Sequence, residues 1–459
     1  MKNQLSNFSK SINANKYLPL LGALAISSVS SELAAQKSDV PNIVIILTDD
    51  QGYADISFNE LHPNEVNTPN MDALANEGIF FTNAYTNGNV SSPTRAAIMS
   101  GKYPHRNGIY TAGEGGAGLN LEETTFPQYL KEAGYVSGAF GKWHLGLTLE
   151  YNAINRGFDE FYGFMGRGAH DFYELNNMDN PLYRGLEPVR QEGYLTNLLT
   201  NEAVSFIANH KDQPFFLYLA YNAVHAPAQA PKELIEKYNT GDETRDILMA
   251  MLEVLDDGVG KVVQTLKEKG VWDNTLLFFL TDNGGAGAMH ANNTPLRDFK
   301  QSNYEGGLRV PFIVSWPDKF EGGRKIETPV IAMDMLPTAV AAAGLKLPEG
   351  NTLDGKNILP VLEGKVDVLH ENLFWSEGSN GEWAVRSGDW KLVVIKDQIE
   401  LFNLKNDVSE SINLADKNPK IVKKLSAKYD EWLDSMAEPM LQESKRWDPN
   451  AQPRKRRQR

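Results

Sequence analysis

Five short, largely apolar runs, each bounded by polar residues or glycine, are spread along this sequence. They are residues 43–47, 135–140, 215–220, 276–280 and 311–316. Runs of this kind are typical of strands that are buried on both faces of a parallel sheet. Stretches with helical periodicity lie between them, at residues 70–77, 125–133, 194–209, 246–269 and 332–343. This alternation predicts an α/β sandwich around a large, mostly parallel sheet.

The pattern changes after residue 345. Residues 383–385, 390–395 and 400–403 have the length and composition of short antiparallel strands, and residues 419–436 have helical periodicity. We therefore predict a catalytic domain over residues 36–345 and a smaller C-terminal α+β subdomain, with a short antiparallel sheet, over residues 346–440.

Chemically capable polar residues follow four of the predicted strands. Thr48–Asp49–Asp50 comes after the first strand, Lys142–Trp143–His144 after the second, His225 after the third and Asp282–Asn283 after the fourth. In an open parallel sheet, ligands bind beyond the carboxyl ends of the strands. The sequence therefore predicts one site, assembled from four segments, at one edge of the sheet.

The acidic residues of these segments form an all-oxygen ligand set. Asp49, Asp50 and Asp282 supply carboxylates, and Asn283 supplies an amide oxygen. Hard oxygen ligands suit Ca²⁺ or Mg²⁺, and three carboxylates brought together without a cation would repel one another. Taken alone, Asp49–Asp50 is also compatible with turn or helix-capping chemistry. The additional carboxylate at a second strand end favours a metal site.

Residues 89–101 predict a helix that begins near a serine. Pro93 suits the first turn of a helix, and Gly101 suits the residue after its end. Ser91 is therefore expected at or just before the helix N-terminus, where free backbone N–H groups favour an anion. Arg95, one turn further on, can return to the same place. Taken alone, the segment is equally compatible with a simple capped helix start.

In order and spacing, these segments resemble the formylglycine-dependent sulfatase family. Its signature is Cys or Ser, any residue, Pro, any residue and Arg, followed after a few residues by Gly. Ser91–Ser92–Pro93–Thr94–Arg95, with Gly101, matches this signature and selects Ser91 as the modified residue. Similar family blocks occur at residues 141–146, 281–284, 304–311 and 400–404. The resemblance implies an alkaline-phosphatase-like sandwich.

The resemblance also implies a nucleophile and a cofactor. Ser91 would be converted to formylglycine, and its hydrate would be held by one Ca²⁺ per chain. The ligands implied for that ion are Asp49, Asp50, Asp282, Asn283 and the modified Ser91. The sequence contains no cysteine, so the aldehyde would have to come from serine. A serine-oxidising maturase is therefore the implied protein partner.

The family's acid, base and anion-binding groups match further positions of this chain. Arg95 and Lys142 would orient the hydrated aldehyde and neutralise the sulfate oxygens. His225 and Lys300 would bind sulfate and protonate the leaving oxygen, and His144 would be the base that regenerates the aldehyde. Considered singly, each histidine has a structural alternative and each lysine could be a solvated surface charge.

Four further residues are predicted to touch the sugar. Arg167, His170 and Asp171 lie in a glycine-rich, loop-like segment, and His290 follows closely after Asp282. The implied substrate is a sulfated carbohydrate, and ulvan or carrageenan is favoured over animal glycosaminoglycans. The formal net charge of −14 argues against nucleic acid as a partner.

Both ends of the sequence differ from its body. Three lysines precede an apolar stretch that begins at Tyr17, and Leu33–Ala34–Ala35 offers a cleavage site before Gln36. This predicts a signal peptide over residues 1–35 and export, to the periplasm of a Gram-negative bacterium or beyond it. The stretch is too short to span a bilayer, and no membrane association is expected. Residues 441–459 form a basic tail, either simply solvated or weakly assisting the binding of a polyanion.

Two other functions are compatible with the same residues. A phosphomonoester or phosphonate hydrolase on this fold would normally need His and Asp ligands for a second cation, and no second complete set is evident. A polysaccharide-binding pseudoenzyme would leave Ser91 unmodified, but simple binding would not require Lys142, His144, His225 and Lys300 together.

Overall fold

The structure is a computed structural model that describes residues 40–440, except residues 167, 348–351 and 379–380. The predicted signal peptide, the basic tail and Arg167 therefore lie outside the described residues. The strands of the described part are β1 (Asn42–Thr48), β2 (Ile79–Phe81), β3 (Ala84–Tyr85), β4 (Val136–Lys142), β5 (Glu160–Phe164), β6 (Leu182–Arg184), β7 (Glu187–Val189), β8 (Phe215–Ala220), β9 (Thr275–Thr281), β10 (Phe312–Ser315), β11 (Arg324–Ile326), β12 (Val330–Ile331), β13 (Asn372–Ser376), β14 (Trp383–Ser387), β15 (Trp390–Ile395) and β16 (Gln398–Asn403).

The predicted helical segments are all helical in the structure. The α-helices of the described part are α1 (Pro69–Glu77), α2 (Ser91–Ser100), α3 (Ala112–Ala117), α4 (Phe126–Leu130), α5 (Leu195–His210), α6 (Lys232–Ile235), α7 (Glu243–Glu268), α8 (Glu305–Leu308), α9 (Met335–Ala342), α10 (Leu359–Leu362) and α11 (Pro419–Asp434). Helix α7 begins earlier than predicted because the Asp242 side chain accepts hydrogen bonds from the N–H groups of Thr244 and Arg245.

One large sheet organises the described residues. It has ten strands in the order β11-β2-β10-β9-β1-β8-β4-β5-β6-β7. The central strands β9, β1, β8, β4 and β5 are mutually parallel, as predicted. The predicted strand at residues 311–316 is β10, and it runs antiparallel to β9. The chain between these two strands contains only short helical turns, at Gly287–Met289 and Glu305–Leu308, whereas a parallel neighbour would need a crossover connection, which is usually a longer α-helix.

Side chains of alternate residues along the central strands enter two separate cores. Val44 and Ile46 of β1 pack in the core that includes residues of α1, α5 and α7. Ile43, Ile45 and Leu47 pack in the opposite core, which includes residues of α2, α4 and α9. All seven residues of β1 are buried, which explains the continuous apolar run in the sequence. The predicted α/β sandwich is confirmed.

The C-terminal part forms a smaller layer of its own. Strands β13, β14, β15 and β16 make an antiparallel sheet in chain order. Its core includes Trp375, Tyr429 and Trp432, together with Tyr85 and Tyr103 from the preceding part of the chain. Of the four strands, only β13 was not predicted from the sequence.

The register of the large sheet brings the ends of its central strands together. Thr48 of β1 pairs with Thr281 of β9, and Leu47 pairs with Ala220 of β8. Gly141 of β4 pairs with Ala220 on the other side of β8. The segments that follow these four strands therefore begin side by side. Among the described residues, no helix is both long and apolar enough to cross a membrane.

Candidate active site

Ser91 is the first residue of helix α2, as the sequence predicted. Val90 before it has extended backbone and makes no side-chain cap, so the first N–H groups of the helix face the same region as the serine. The helix ends at Gly101, whose φ of 65° is in the left-handed region that favours glycine. All ten residues of α2 are buried, so the helix is held rigidly beneath the site.

The Ser91 hydroxyl lies among oxygen ligands and a lysine. Its Oγ is 3.3 Å from Asp49 Oδ1 and 3.4 Å from Asn283 Oδ1. The Lys142 ammonium donates to the same Oγ at 3.0 Å, and to Asp49 Oδ2 at 2.5 Å. Residues from the ends of three strands therefore converge on one hydroxyl that is only 2% exposed.

The predicted oxygen ligands are fully buried and come together at this point. Asn283 donates its amide N–H to Asp50 Oδ1 at 2.8 Å, which turns its own oxygen towards Ser91. Asp282 Oδ2 accepts two hydrogen bonds from Arg95, at 3.0 and 2.8 Å. The other oxygen, Asp282 Oδ1, is buried without a hydrogen-bond partner. An unpartnered buried carboxylate oxygen beside other hard oxygens fits a cation such as Ca²⁺ or Mg²⁺.

One group of metal-capable side chains stands out by geometry among the described residues. Asp49, Asp50 and His225 each offer a ligand atom, and these atoms lie within 4.8 Å of one another. The group combines two of the predicted carboxylates with a histidine that the sequence assigned to sulfate instead. Whether His225 binds a metal ion or sulfate, its Nε2 lies 3.5 Å from Asp50 Oδ2.

Three cationic side chains, Arg95, Lys142 and Lys300, balance the charge of the three aspartates. Burial and neighbouring charges shift the pKa values of the two lysines. Burial lowers the pKa of Lys142, and the cations of Arg95 and Lys300 act in the same direction, although the carboxylates of Asp49 and Asp282 oppose this shift. Burial alone would also lower the pKa of Lys300, but the carboxylates of Asp50, Asp49 and Asp282 raise it. Lys300 donates to both Asp50 oxygens, at 2.7 and 2.9 Å. Lys300 is therefore held as a cation, whereas the proton of Lys142 is held less tightly.

Asp50 is held in its charged form by the same contacts. Burial would raise the pKa of its carboxyl, but Lys300 and His225 outweigh burial and lower it. Asp50 and His144 both have positive φ, 61° and 56°, in a region that non-glycine residues seldom adopt. Such backbone strain is concentrated at functional sites.

The two histidines at this edge of the sheet differ in exposure. His144 is buried, and its Nδ1 has no hydrogen-bond partner. Burial lowers its pKa well below the ordinary value, and the cations of Lys142 and Arg95 lower it further. His225 is 19% exposed in its side chain, and its Nε2 lies 3.5 Å from Asp50 Oδ2. The buried imidazole is therefore neutral with a free nitrogen, and the other faces the accessible end of the site.

Two of the residues predicted to touch the sugar, His170 and Asp171, have other hydrogen-bond partners in the structure. Both ring nitrogens of the buried His170 lie within hydrogen-bond distance of backbone carbonyls, of Asp171 and of Asn180. The Asp171 carboxylate accepts hydrogen bonds from the N–H groups of Tyr173 and Glu174 and from the Gln229 amide. These contacts organise the loop itself.

His290 stands apart from the Ser91 hydroxyl and its neighbours. Its Nδ1 lies 2.5 Å from Asp242 Oδ2 at the N-terminus of α7, and half of its side chain is exposed. No hydrogen bond joins His290 to a residue that contacts Ser91. Its predicted contact with sugar stays a prediction.

The sequence analysis did not identify Glu377, which follows β13 and reaches the nucleophile segment. Its Oε1 accepts a hydrogen bond of 2.6 Å from the Asn89 side chain, two residues before Ser91. The Asn303 side chain donates to the same oxygen at 3.4 Å. The small sheet thereby supports the loop that carries Ser91. Nothing in the local sequence around Glu377 signals this contact, because the pair is separated by 288 residues.

A second buried group of charges was also not predicted, and we call it the interface cluster. Lys391 of β15 lies 2.8 Å from Glu305 Oε1 and 3.0 Å from Glu410 Oε1. Arg309 and Arg386 complete it, on either side of Tyr85. Its members are Tyr85, Glu305, Arg309, Arg386, Lys391 and Glu410. The cluster joins the small sheet to the segment that follows Lys300.

Comparisons with protein families match almost all of the described chain. The family described as Sulfatase matches residues 41–345, and the one described as N-sulphoglucosamine sulphohydrolase, C-terminal, matches residues 298–437. The two matches overlap between residues 298 and 345, which includes Lys300 and the segment that carries Glu305.

Individual relatives agree with these families. An uncharacterised sulfatase of Escherichia coli is 30% identical over 87% of this chain and 86% of its own length. The N-acetylgalactosamine-6-sulfatase of Mus musculus is 34% identical, over 82% of this chain and 75% of its own. The crystal structure of Ps i-CgsB in complex with k-i-k-neocarrahexaose is 35% identical and covers 87% of this chain and 94% of its own, with a TM-score of 0.82.

Proposed function

Since the chain belongs to the sulfatase family and is a hydrolase of glycan sulfate esters, we propose that it uses Ser91, oxidised to formylglycine, beside a bound Ca²⁺. The observation that carries the proposal is the convergence of Asp49, Asn283 and Lys142 on the Ser91 hydroxyl. A structural serine has no need of an amide oxygen, a carboxylate and an ammonium around it.

Calcium fits the donor set at this point. Asp49, Asp50, Asp282 and Asn283 would hold it, and the unpartnered Asp282 Oδ1 is an oxygen that no protein group satisfies. Bound there, Ca²⁺ would lower the pKa of the nucleophilic hydroxyl and bind a sulfate oxygen. His225 offers nitrogen, a softer ligand than calcium prefers, and we assign it to the substrate instead.

Oxidation of Ser91 removes two hydrogens, and a serine-oxidising maturase is the proposed agent. The hydrate of the resulting aldehyde would supply one hydroxyl to attack sulfur and a second to expel the sulfate afterwards. Mass spectrometry of the peptide that contains Ser91 should show this loss of two hydrogens in active preparations. Full activity from protein with unmodified serine would contradict the proposal.

The side chains around Ser91 have separate proposed tasks. Lys142 donates to the Ser91 Oγ, so it orients the group at that position and stabilises negative charge there. Arg95 is anchored to Asp282 and to the Lys142 carbonyl, which fixes the carboxylate beside the nucleophile. His144, neutral and with a free Nδ1, would accept the proton when the aldehyde is regenerated.

The accessible end of the site would receive the sulfate ester. Lys300 and His225 are the partly exposed members there, 15% and 19% in their side chains, and both face Asp50. Lys300, held as a cation, would bind sulfate oxygens. His225 would donate a proton to the leaving sugar oxygen.

Neither alternative function has a specific observation in its favour. A second metal-capable group of His, Asp and Glu side chains is absent from the described residues, although a two-metal phosphomonoesterase would need one. A glycan-binding pseudoenzyme would not require a buried imidazole with a free nitrogen among the cations of the site, Lys142 and Arg95. Comparing the release of sulfate and phosphate from matched aryl esters tests the first alternative, and absent turnover in matured protein would favour the second.

The proposed substrate is a sulfated oligosaccharide from a marine algal polysaccharide. The sequence favoured ulvan or carrageenan, and k-i-k-neocarrahexaose in the complex with a relative of 35% identity favours a carrageenan-type glycan. The name of a second relative adds N-acetylgalactosamine 6-sulfate as a candidate. We also propose export to the periplasm or beyond, on the strength of the predicted signal peptide.

A panel of defined substrates tests this proposal. Matured protein would be given k-i-k-neocarrahexaose, sulfated ulvan oligosaccharides, N-acetylgalactosamine 6-sulfate and an aryl phosphate, and released anions would be quantified. Sulfate release from at least one glycan, with none from Ser91→Ala, is expected. Phosphate release without sulfate release would overturn the proposal.

A further inference from the structure

Phe299 is an exposed aromatic side chain in the segment that carries Lys300. It is 40% exposed, and of the exposed large apolar side chains among the described residues only Phe299 and Tyr173 are aromatic. Phe299 directly precedes Lys300, whose ammonium binds both oxygens of Asp50. Consecutive Cα atoms lie only about 3.8 Å apart, so the ring and the ammonium proposed to bind the sulfate are carried by neighbouring points of the backbone.

The ring of Phe299 rests on a glycine that follows the metal-binding segment. If Gly287 carried a Cβ atom, that atom would lie 3.3 to 3.6 Å from Cγ, Cδ1 and Cδ2 of the Phe299 ring. Because Gly287 has no side chain, the Phe299 ring can pack close to the backbone at this position. With 40% of its surface exposed, Phe299 offers an accessible aromatic face on the segment that carries Lys300.

The backbone around Phe299 is fixed in place. Asp298 and Gln301 on either side have φ values of 70° and 71°, in the region that favours glycine. The Lys300 N–H donates to the Gly285 carbonyl at 3.0 Å, and the Gln301 N–H donates to the Asn89 carbonyl at 2.8 Å. This arrangement sends Lys300 inwards to Asp50 and leaves Phe299 exposed. A rigid surface of this kind binds with little loss of conformational freedom.

We infer that Phe299 is a specificity-determining residue that stacks on the sugar ring carrying the scissile sulfate or on its neighbour. The inference rests on the proposed function. An aromatic face carries negative electrostatic potential, which attracts the weakly positive C–H groups of a pyranose. A charged pocket for the ester with one apolar ring beside it suits a sulfated sugar, which is anionic at one group and has apolar C–H faces. A protein-docking surface would be a broader apolar patch.

The experiment compares Phe299→Ala, Phe299→Leu and Phe299→Trp with the wild-type enzyme, all carrying formylglycine. The candidate substrates are k-i-k-neocarrahexaose, ulvan oligosaccharides and N-acetylgalactosamine 6-sulfate. Kinetics are measured on each one that the wild type turns over. Phe299→Ala and Phe299→Leu should raise KM about fivefold to twentyfold with little change in kcat, whereas Phe299→Trp should stay near the wild type. Inhibition by inorganic sulfate, which occupies only the charged pocket, should be unchanged.

Ile412→Ala is the matched control, because Ile412 is an exposed apolar side chain at 58% exposure in the C-terminal part. It should leave KM unchanged. An unchanged KM in Phe299→Ala, or an equal loss in Phe299→Leu and Phe299→Trp, overturns the inference while the proposed function stands. An equal weakening of inorganic sulfate inhibition also overturns it, since the effect would then lie in the anion pocket. A wild type that releases sulfate from none of the glycans overturns both.

Discussion

Two of the buried charge clusters among the described residues, the one around Ser91 and the interface cluster, differ in their access to solvent. Around Ser91, three aspartates face Arg95, Lys142 and Lys300, and the Lys300 side chain remains 15% exposed. In the interface cluster, two glutamates face one lysine and two arginines, and the side chains of Glu305, Lys391 and Glu410 are fully buried. The first cluster surrounds the Ser91 hydroxyl and opens towards solvent at Lys300 and His225.

This difference shows that buried charge alone does not indicate an active site. The interface cluster is also buried and also shifts pKa values, lowering that of Glu305 and raising that of Glu410, yet its groups bind each other and join the small sheet to the rest of the fold. Its Glu410 Oε1 has no hydrogen bond but lies 3.0 Å from the Lys391 ammonium, whereas the Ser91 site leaves an aspartate oxygen and an imidazole nitrogen without hydrogen-bond partners. Unsatisfied groups at an accessible point can bind a ligand, whereas satisfied groups stabilise the fold.

The largest expected effect is the loss of the Ser91 hydroxyl. Ser91→Ala removes the group on which Asp49, Asn283 and Lys142 converge, so kcat should fall on the order of 10⁴-fold or more with an unchanged melting temperature. Sulfate release and thermal unfolding measure the two quantities. Ser92→Ala is the matched control: the neighbouring Ser92 Oγ is also buried but has no hydrogen-bond partner, and this variant should keep its activity. Comparable loss in both variants would contradict the assignment.

The second-largest effect is expected from metal removal, which should affect the cluster around Ser91 and not the interface cluster. Dialysis against a chelator should abolish sulfate release, and Ca²⁺ should restore it, because Asp49, Asp50 and Asp282 lose their shared cation. Ca²⁺ at about 100 times its Kd should add about 2.7 kcal/mol to the free energy of unfolding. The interface variant Lys391→Met should show the same calcium-dependent increase. Chelated protein that retains full activity would disprove the metal site.

Breaking the interface cluster should cost stability rather than chemistry. Lys391→Met leaves Glu305 and Glu410 buried without their shared cation, so the free energy of unfolding should fall by about 3–5 kcal/mol. The kcat of the folded fraction should be unchanged. Denaturant unfolding and active-site titration measure these quantities. Lys417→Met, at an exposed position, is the control and should unfold like the wild type. A large fall in kcat with normal stability would place Lys391 in the catalytic machinery.

The smallest expected effect is a pH dependence that originates in the interface cluster. Burial raises the pKa of Glu410 to about 7, and Glu305 beside it contributes in the same direction although Lys391 opposes it. Between about pH 4.5 and 7 the folded chain therefore keeps a proton that the unfolded chain has released. The free energy of unfolding should fall by on the order of 1 to 3 kcal/mol as the pH rises through this range.

Glu410→Gln is the variant that isolates this dependence. It cannot ionise, so its stability should vary less between pH 5 and 7 than that of the wild type, as measured by denaturant unfolding at each pH. The pH dependence of sulfate release per folded molecule should match the wild type. An identical slope of stability against pH in both proteins would assign the titration to another group.

The predicted part of the site consists of residues tied to local features. Asp49, Lys142 and Asp282 lie at or just after the ends of apolar runs, and parallel pairing necessarily brings such ends together. Ser91 was placed at a helix N-terminus by Pro93 two residues later. The partners of His170 were not predictable, because both are backbone carbonyls whose positions depend on the fold of the loop.

Local sequence patterns were sufficient to predict the α/β sandwich, the small antiparallel sheet and the group of segments that meet near Ser91. Apolar run length, helical periodicity and helix-boundary residues act over a few positions and can be read locally. Three features became evident only in the folded chain: the antiparallel direction of β10, the contact of Glu377 with Asn89 and the pairing of Lys391 with Glu305. Each joins residues far apart in the chain, and packing of the whole fold is what sets such distances.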